Sequence, residues 1–498
     1  MSVLTLLLVL LPTAGAVATA GVPRWLATKF GAVAASLTFI DALVVLLVFD
    51  YGATEQLQFE VSWLWIPAIG LRFHLGLDGI SLPLVVLTTG LVVLCFLTLR
   101  RQVPEPGRAR ALVVALLVLE VGMVGTFLAG DVLLFFIFFE IVLLPMYAII
   151  AVWGGPGRRA AANKFLLFTL LGSAVMLVGL LTAAAHAGSL SIQRLLENAG
   201  GGMSTGLQVL VFLTIAGGLA VKVPMWPLHS WLPDAHTEAP TVGSVLLAGV
   251  LLKMGTYGMV RIALPTAPEG AHLVAPFLGA YAVVGIVYAA LACLAQRDLK
   301  RLIAFSSVGH MGFVLLGIST LSPVGVNAAL FGNIAHGIIT GLLFFVAGAI
   351  KERYGTTDMT ELGAGMRAKA PQLAGFLAVA SIASLGLPGF AGFWGEMLAL
   401  LGAWQPAEGL PRAAFLVYLA IAGVGGVLTA AYFLVMLHRV AHGKVADRWR
   451  TVAVPRLSTM ELVTWLPLVA VMLATGLWPR TLLGLTGAAV NRLLGIGG

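Results

Sequence analysis

Runs of about twenty apolar residues recur along the whole chain. A helix needs about that many to cross the hydrocarbon of a bilayer, so the repetition decides which folds are open. Fourteen spans can be placed, at 3–21, 31–49, 77–99, 110–128, 132–152, 164–185, 206–237, 240–262, 273–296, 301–319, 324–350, 371–404, 413–437 and 459–478. The seventh and twelfth are too long and too interrupted to be simple helices. Composition agrees: 10% of residues are charged and 60% hydrophobic, whereas a soluble protein carries roughly 25% charged residues. So little charge cannot clothe a water-facing surface. The predicted fold class is an all-α polytopic membrane protein with about 14 transmembrane helices.

Twenty-one of the 29 basic residues fall in one alternating set of loops, from Arg24 and Lys29 to Arg450 and Arg456. Six fall in the other set, and two, Lys222 and Lys253, lie inside spans. Basic residues concentrate in cytoplasmic loops, which predicts that both termini are on the outer side. The segment 50–76, with Asp50, Glu55, Glu60, Trp63 and Trp65, would cap the outer surface. The same bias accounts for a formal net charge of +8 without a nucleic-acid partner. The apolar start ends in Ala16, Val17, Ala18, Thr19 and Ala20, like a signal-peptidase site. It lacks the basic leading region of a signal peptide, so a retained first helix is expected. Cys95 and Cys293 are far apart and form no Cys-x-x-Cys, which leaves an iron–sulfur cluster or structural zinc without a ligand set. No nucleotide-binding glycine motif follows a plausible strand.

Charges inside spans are costly, by about 2.5–3.5 kcal/mol on insertion scales, and mark pathways by default. Glu140 follows Phe138 and Phe139, where a carboxylate is stable as an anion only beside a cation. Lys222 precedes Pro224 and Pro227, and proline breaks a helix. The carbonyls so freed must find partners or line a watery cavity. Lys253 is near the middle of the eighth span, and Glu396 follows a break at Pro388, Gly389 and Gly392. Static ion pairing, snorkelling to an interface or lining a cavity are the plain alternatives for these four. His310 and His336, on the tenth and eleventh spans, can relay protons near neutral pH. They could also be hydrogen-bonded core histidines or, as a rival, haem ligands. His229 and His236 flank the seventh-span break with Asp234 and Glu238. Seven residues apart, they would share a helical face, suiting proton uptake from the cytoplasmic side or a weak metal site. Glu120 and Asp41 are also within spans, and are expected near span ends.

The breaks near Pro224 and Pro388 fall about five helices apart. Broken helices at matching places in two halves point to a transporter site. Spans 4–8 and 9–13 are therefore predicted to be inverted five-helix repeats. The expected division is 1–109 (helices 1–3 and the outer loop), 110–262 (first repeat), 263–440 (second repeat) and 441–498 (helix 14 and tail).

The stretch KVPMWPLHSWLPDAHTEAP, from Lys222 to Pro240, resembles the seventh-helix motif of the antiporter-like subunits of respiratory complex I. DLKRLIAFSSVGHMG, from Asp298 to Gly312, resembles their tenth-helix motif, with Gly309 where serine is expected. The similarity runs from about residue 70 to 440. That family comprises the L, M and N subunits of NADH–quinone oxidoreductase, Mrp-type sodium/proton antiporter subunits and membrane-bound hydrogenase relatives. The resemblance implies fourteen helices with inverted repeats, a Glu140–Lys222 pair, a central Lys253 and linking histidines. L- and N-type members and most Mrp subunits carry lysine on the twelfth helix, whereas the M-type carries glutamate, as Glu396 does here. It further implies proton translocation coupled to NADH oxidation and quinone reduction in other subunits. NAD, FMN, iron–sulfur clusters and quinone would be held there, with no cofactor or metal in this chain. Partners would be L-type and N-type neighbours and lipids, in the plasma membrane of a bacterium. A sodium/proton antiporter subunit and a purely structural subunit are the alternatives.

Overall fold

The computed structural model describes residues 2–101 and 103–496; Met1, Gln102, Gly497 and Gly498, which belong to the predicted terminal and loop segments, lie outside them. Among the described residues, thirteen helices are long and apolar enough to cross a membrane. They are Ser2–Gly21, Ala27–Val48, Ser81–Arg101, Ala109–Leu128, Val132–Trp153, Arg158–Ala187, Thr205–Lys222, Thr241–Thr266, Pro268–Ala295, Leu299–Ser319, Pro323–Tyr354, Arg412–Val440 and Thr459–Leu477. The expected twelfth span is two shorter helices, Pro371–Ser384 and Ala391–Trp404. Counted as one, the pair takes the ordinal twelve, and the spans keep the numbers one to fourteen below.

Both expected breaks are present. The seventh span ends at Lys222 and resumes as Trp231–Glu238. The Val221 carbonyl, left without a helical partner, accepts the indole N–H of Trp231 at 2.9 Å. In the twelfth span, Gly386 and Gly389 turn the chain with φ of 68° and 97°, a region that glycine enters without strain. The eighth span departs from a regular helix in a way the sequence does not announce. Wider i→i+5 turns at Leu247–Leu251 and Met259–Ala263 bracket Lys253. Such turns collect at functional sites because they release backbone groups.

Spans eight and eleven are each 94% buried over their most apolar stretch and span ten 89%, against 33% for span thirteen. The core of the molecule is therefore spans eight, ten and eleven, and the others present lipid-facing sides. Two similar ties brace the bundle around this core. Asp131 caps the fifth span, and its neighbours bond to the segment after the sixth, with Val132 N–H to Leu190 O at 2.8 Å and Ile192 N–H to Gly130 O at 3.0 Å. Asp298 caps the tenth, with Leu299 N–H to Thr357 O at 2.9 Å and Met359 N–H to Arg297 O at 2.8 Å. Each residue of the second tie lies 167 positions after its counterpart in the first.

Two elements were not foreseen. Within the capping segment, Gln58–Ile66 and Leu71–Leu77 form an antiparallel hairpin, with Trp63 stacked on Phe73 at 4.5 Å. After the last span, Arg480–Leu493 forms a helix whose apolar side is buried. Its Arg492 bonds to the Glu55 carbonyl at 2.9 Å, and a Cβ at Gly79 would collide with the Leu485 carbonyl. Helix and hairpin thus lie together on what we term the hairpin face. The opposite, basic face carries a buried clamp. The Arg353 guanidinium holds both oxygens of Glu461 at 2.8 Å, and Arg101 reaches the same carboxylate at 2.6 Å. Glu461 also completes the capping box of span fourteen with Ser458.

Arg353→Ala strands part of a buried carboxylate and is expected to cost about 3 kcal/mol. Removing Arg448, whose pair with Glu361 is exposed, is expected to change stability by less than about 0.5 kcal/mol. Thermal loss of the assembled complex in detergent separates the two, and equal shifts would contradict the clamp.

Candidate functional site

The central residue is Lys253. It is fully enclosed, between the two wide turns of span eight. Its ammonium donates to the Ala248 carbonyl, which lies inside the first wide turn, and meets His336 Nδ1 on span eleven at 2.6 Å. One turn along, Thr256 donates to Asn333 Oδ1 at 2.9 Å, a second polar rung between the same spans. The His336 ring centroid lies 5.7 Å from that of His310 on span ten. His310 Nδ1 in turn lies 3.0 Å from Glu396 Oε1, just past the twelfth-span break. A cavity of about 30 Å³ is bordered by His310, His336 and Glu396, room for a water or two. His336 Nε2 and His310 Nε2 are buried without a protein partner. Lys253, His336, His310 and Glu396 therefore form one line, with groups that carry or pass a proton at each step.

The other end of the line is looser. Lys222 is buried, its ammonium 4.4 Å above the Phe139 ring, a cation–π contact. Glu140 is next in sequence, but among the described residues no carboxylate is within salt-bridge distance of Lys222. Glu140 is half-buried and faces a groove between spans one, four and five, lined also by Arg110 and Leu144. The pair is thus adjacent without being closed. The kink at Val142, where Val132–Ile141 gives way to Leu143–Trp153, is two residues from Glu140.

His229 and His236 do not share a helical face. The helix starts only at Trp231, so His229 precedes it and packs on Tyr288 at 4.9 Å. His236 stacks on Phe344 at 4.5 Å, with both ring nitrogens buried and unpartnered. Among the described residues no three His, Cys, Asp or Glu groups converge as a metal would need. Asp234 instead bonds Lys164 at 2.7 Å and Arg301 at 3.1 Å, tying this short helix to spans six and ten.

Several functional-looking residues escaped sequence reasoning. Lys300 was counted with the basic loops, yet it is 3% exposed, and its ammonium bonds the Ala239 carbonyl at 2.7 Å. Its position at the first turn of span ten looks like a loop boundary in sequence. Asn333, one turn from His336, was a usable signal, being a polar residue deep in an apolar run. Glu120 is not near a span end: it sits mid-helix in Ala109–Leu128, fully enclosed, with neither oxygen partnered. Asp41 is likewise inside Ala27–Val48 and buried.

A many-spanned helical protein with an enclosed ionisable line and two broken spans belongs to the class of membrane ion translocators. Residues 129–438 match the family described as NADH:quinone oxidoreductase/Mrp antiporter, TM, and the chain belongs to that family. It is 40% identical over 482 residues to NADH-quinone oxidoreductase subunit M of Rhodobacter capsulatus, covering 95% of this chain and 90% of the relative. It is 35% identical to NADH-ubiquinone oxidoreductase chain 4 of Arabidopsis thaliana, covering 98% and 96%. Among solved structures, a chain of respiratory complex I from Thermus thermophilus with bound NADH superposes with a TM-score of 0.87 at 30% identity, covering 99% of this chain and 100% of that one.

His310→Phe fills the space but cannot pass a proton. Proton transfer along the line is expected to slow by about a hundredfold, read as NADH-driven acidification of vesicles with the complex intact on a native gel. Unchanged acidification would make His310 a packing residue.

Proposed function

We propose that this chain is an M-type proton-translocating membrane subunit of an NADH–quinone oxidoreductase. The observation that carries the reading is the line Lys253–His336–His310–Glu396, whose first three members stand on the most enclosed of the apolar spans. A glutamate, not a lysine, ends it, which favours the M-type over an Mrp sodium/proton antiporter subunit. NADH oxidation and quinone reduction take place in other subunits, which hold NAD, FMN, iron–sulfur clusters and quinone.

Protons are taken up from the cytoplasm, past Lys300, His236 and His229, towards Lys253. Lys222 alternates between its place over Phe139 and pairing with Glu140. When the Lys222 charge moves towards Glu140 it leaves Lys253 more able to hold a proton; when it returns, like-charge repulsion drives the Lys253 proton onto His336 Nδ1. His310 and then Glu396 pass it outward. The groove at Glu140 opens to the side of the molecule. A carboxylate cannot face lipid alone, which supports a neighbouring L-type or N-type subunit there, with lipids covering the remaining apolar sides.

The matching ties around Asp131 and Asp298, and a break in the seventh and twelfth spans, support inverted repeats over 110–262 and 263–440, flanked by 1–109 and 441–498. The distribution of basic residues supports both termini on the outer side of a bacterial plasma membrane.

In membranes carrying Lys222→Ala, NADH-driven quinone reduction and proton pumping are expected to fall together while the complex stays assembled. Normal NADH oxidation with loss of sodium/proton exchange would favour the antiporter reading. Loss of assembly would make Glu140 and Lys222 a structural pair.

A further inference from the structure

Lys253, Tyr257 and Arg261 follow one another at intervals of four along span eight, leading from the central lysine to the hairpin face over about 12 Å of helix. Arg261 lies in the second wide turn and pairs with Asp78. Asp78 is 1% exposed and held by the N–H groups of Ile80 and Ser81 at 3.0 and 2.9 Å. On its other side Arg261 lines a cleft of about 480 Å³ whose wall includes Glu55, Glu60 and Arg492. The column between Lys253 and this cleft is polar. It holds the Thr256–Asn333 rung and the Tyr257 hydroxyl, which donates to the Phe127 carbonyl at 3.1 Å. Asn333 Nδ2 and Arg261 Nε are buried donors without protein acceptors, the setting in which internal water is stable. These polar groups mark where a branch from the central lysine to the hairpin face, apart from the histidine line, would run.

We infer that Arg261, locked by Asp78, is the charge barrier that closes this route to protons. A guanidinium does not give up its proton at accessible pH and so cannot relay one. Its fixed positive charge in a low-dielectric wall opposes hydronium, as an arginine or the positive end of a helix does in water-conducting pores. Asp78 supplies the position and Arg261 the barrier. Closing this branch confines the Lys253 proton to the His336 side, without which the line ending at Glu396 would be short-circuited.

The inference rests on Lys253 carrying protons, and it is tested apart from pumping. The whole complex is reconstituted in vesicles, a pH gradient is imposed without NADH, and its decay is followed with an entrapped dye. Arg261→Gln is expected to speed the decay roughly tenfold, the scale on which one unit charge acts at such distances in protein. Arg261→Lys, which keeps the charge, is expected to stay close to the unsubstituted complex. Should an unpaired Asp78 prevent assembly, the neutral pair Asp78→Asn/Arg261→Gln carries the same expectation of a leak. Adding Lys253→Met to the leaking variant is expected to restore a tight vesicle. Tight vesicles with both neutral variants would overturn the barrier, and so would a leak that persists with Lys253→Met. If Lys253→Met alone pumps normally, the reading of the central line fails, whatever the leak shows.

Discussion

An ammonium group enclosed at mid-membrane has no water to solvate it, so the protein around it must supply every partner, and the core is arranged around that need at Lys253. In a regular helix the carbonyl five residues back is already engaged by the backbone. The wide turn at Leu247–Leu251 places one at Ala248, within reach of the Lys253 ammonium. His336 provides the second partner, which requires spans eight and eleven to pack closely along their length. Their closeness leaves spans eight and eleven the least exposed in the molecule. The imidazole that receives the ammonium can also receive its proton. The arrangement that makes the charge tolerable is thus the one that makes it transferable.

The two breaks serve the same end. At the seventh span, Pro224 and Pro227 end a helix beside Lys222, and Trp231 takes up a carbonyl that lipid could not. At the twelfth, Gly386 and Gly389 let the chain turn so that Glu396 points at His310. Backbone irregularity inside a membrane survives only where protein or water satisfies it. Both breaks border the ionisable line for that reason.

Much of this was legible in the sequence, and the limits were physical. Span number followed from hydrophobic runs, since lipid leaves a chain few options. Glu396, Lys253, His310 and His336 stood out because each interrupts an apolar run, and all four meet in one line. What failed depended on local backbone geometry. His229 and His236 were placed on one face by assuming a helix that begins only at Trp231. Lys300 looked like a loop residue because nothing in the sequence reveals that the first turn of span ten is covered by Ala239. The wide turns around Lys253 have no compositional signature, and neither does the distance that separates Glu140 from Lys222. The hairpin at 58–77 was hidden because aromatic alternation in a short segment reads equally well as an interfacial loop.

The central claim is that protons cross at Lys253. Its direct test is the ratio of protons translocated to electrons transferred, measured in vesicles holding the intact complex with Lys253→Met, which preserves the volume of the stem and removes the charge. The account predicts a lowered ratio at any residual rate of NADH oxidation, because this route is lost while the redox chemistry elsewhere is untouched. A ratio equal to that of the unsubstituted complex would contradict it and make Lys253 a structural charge.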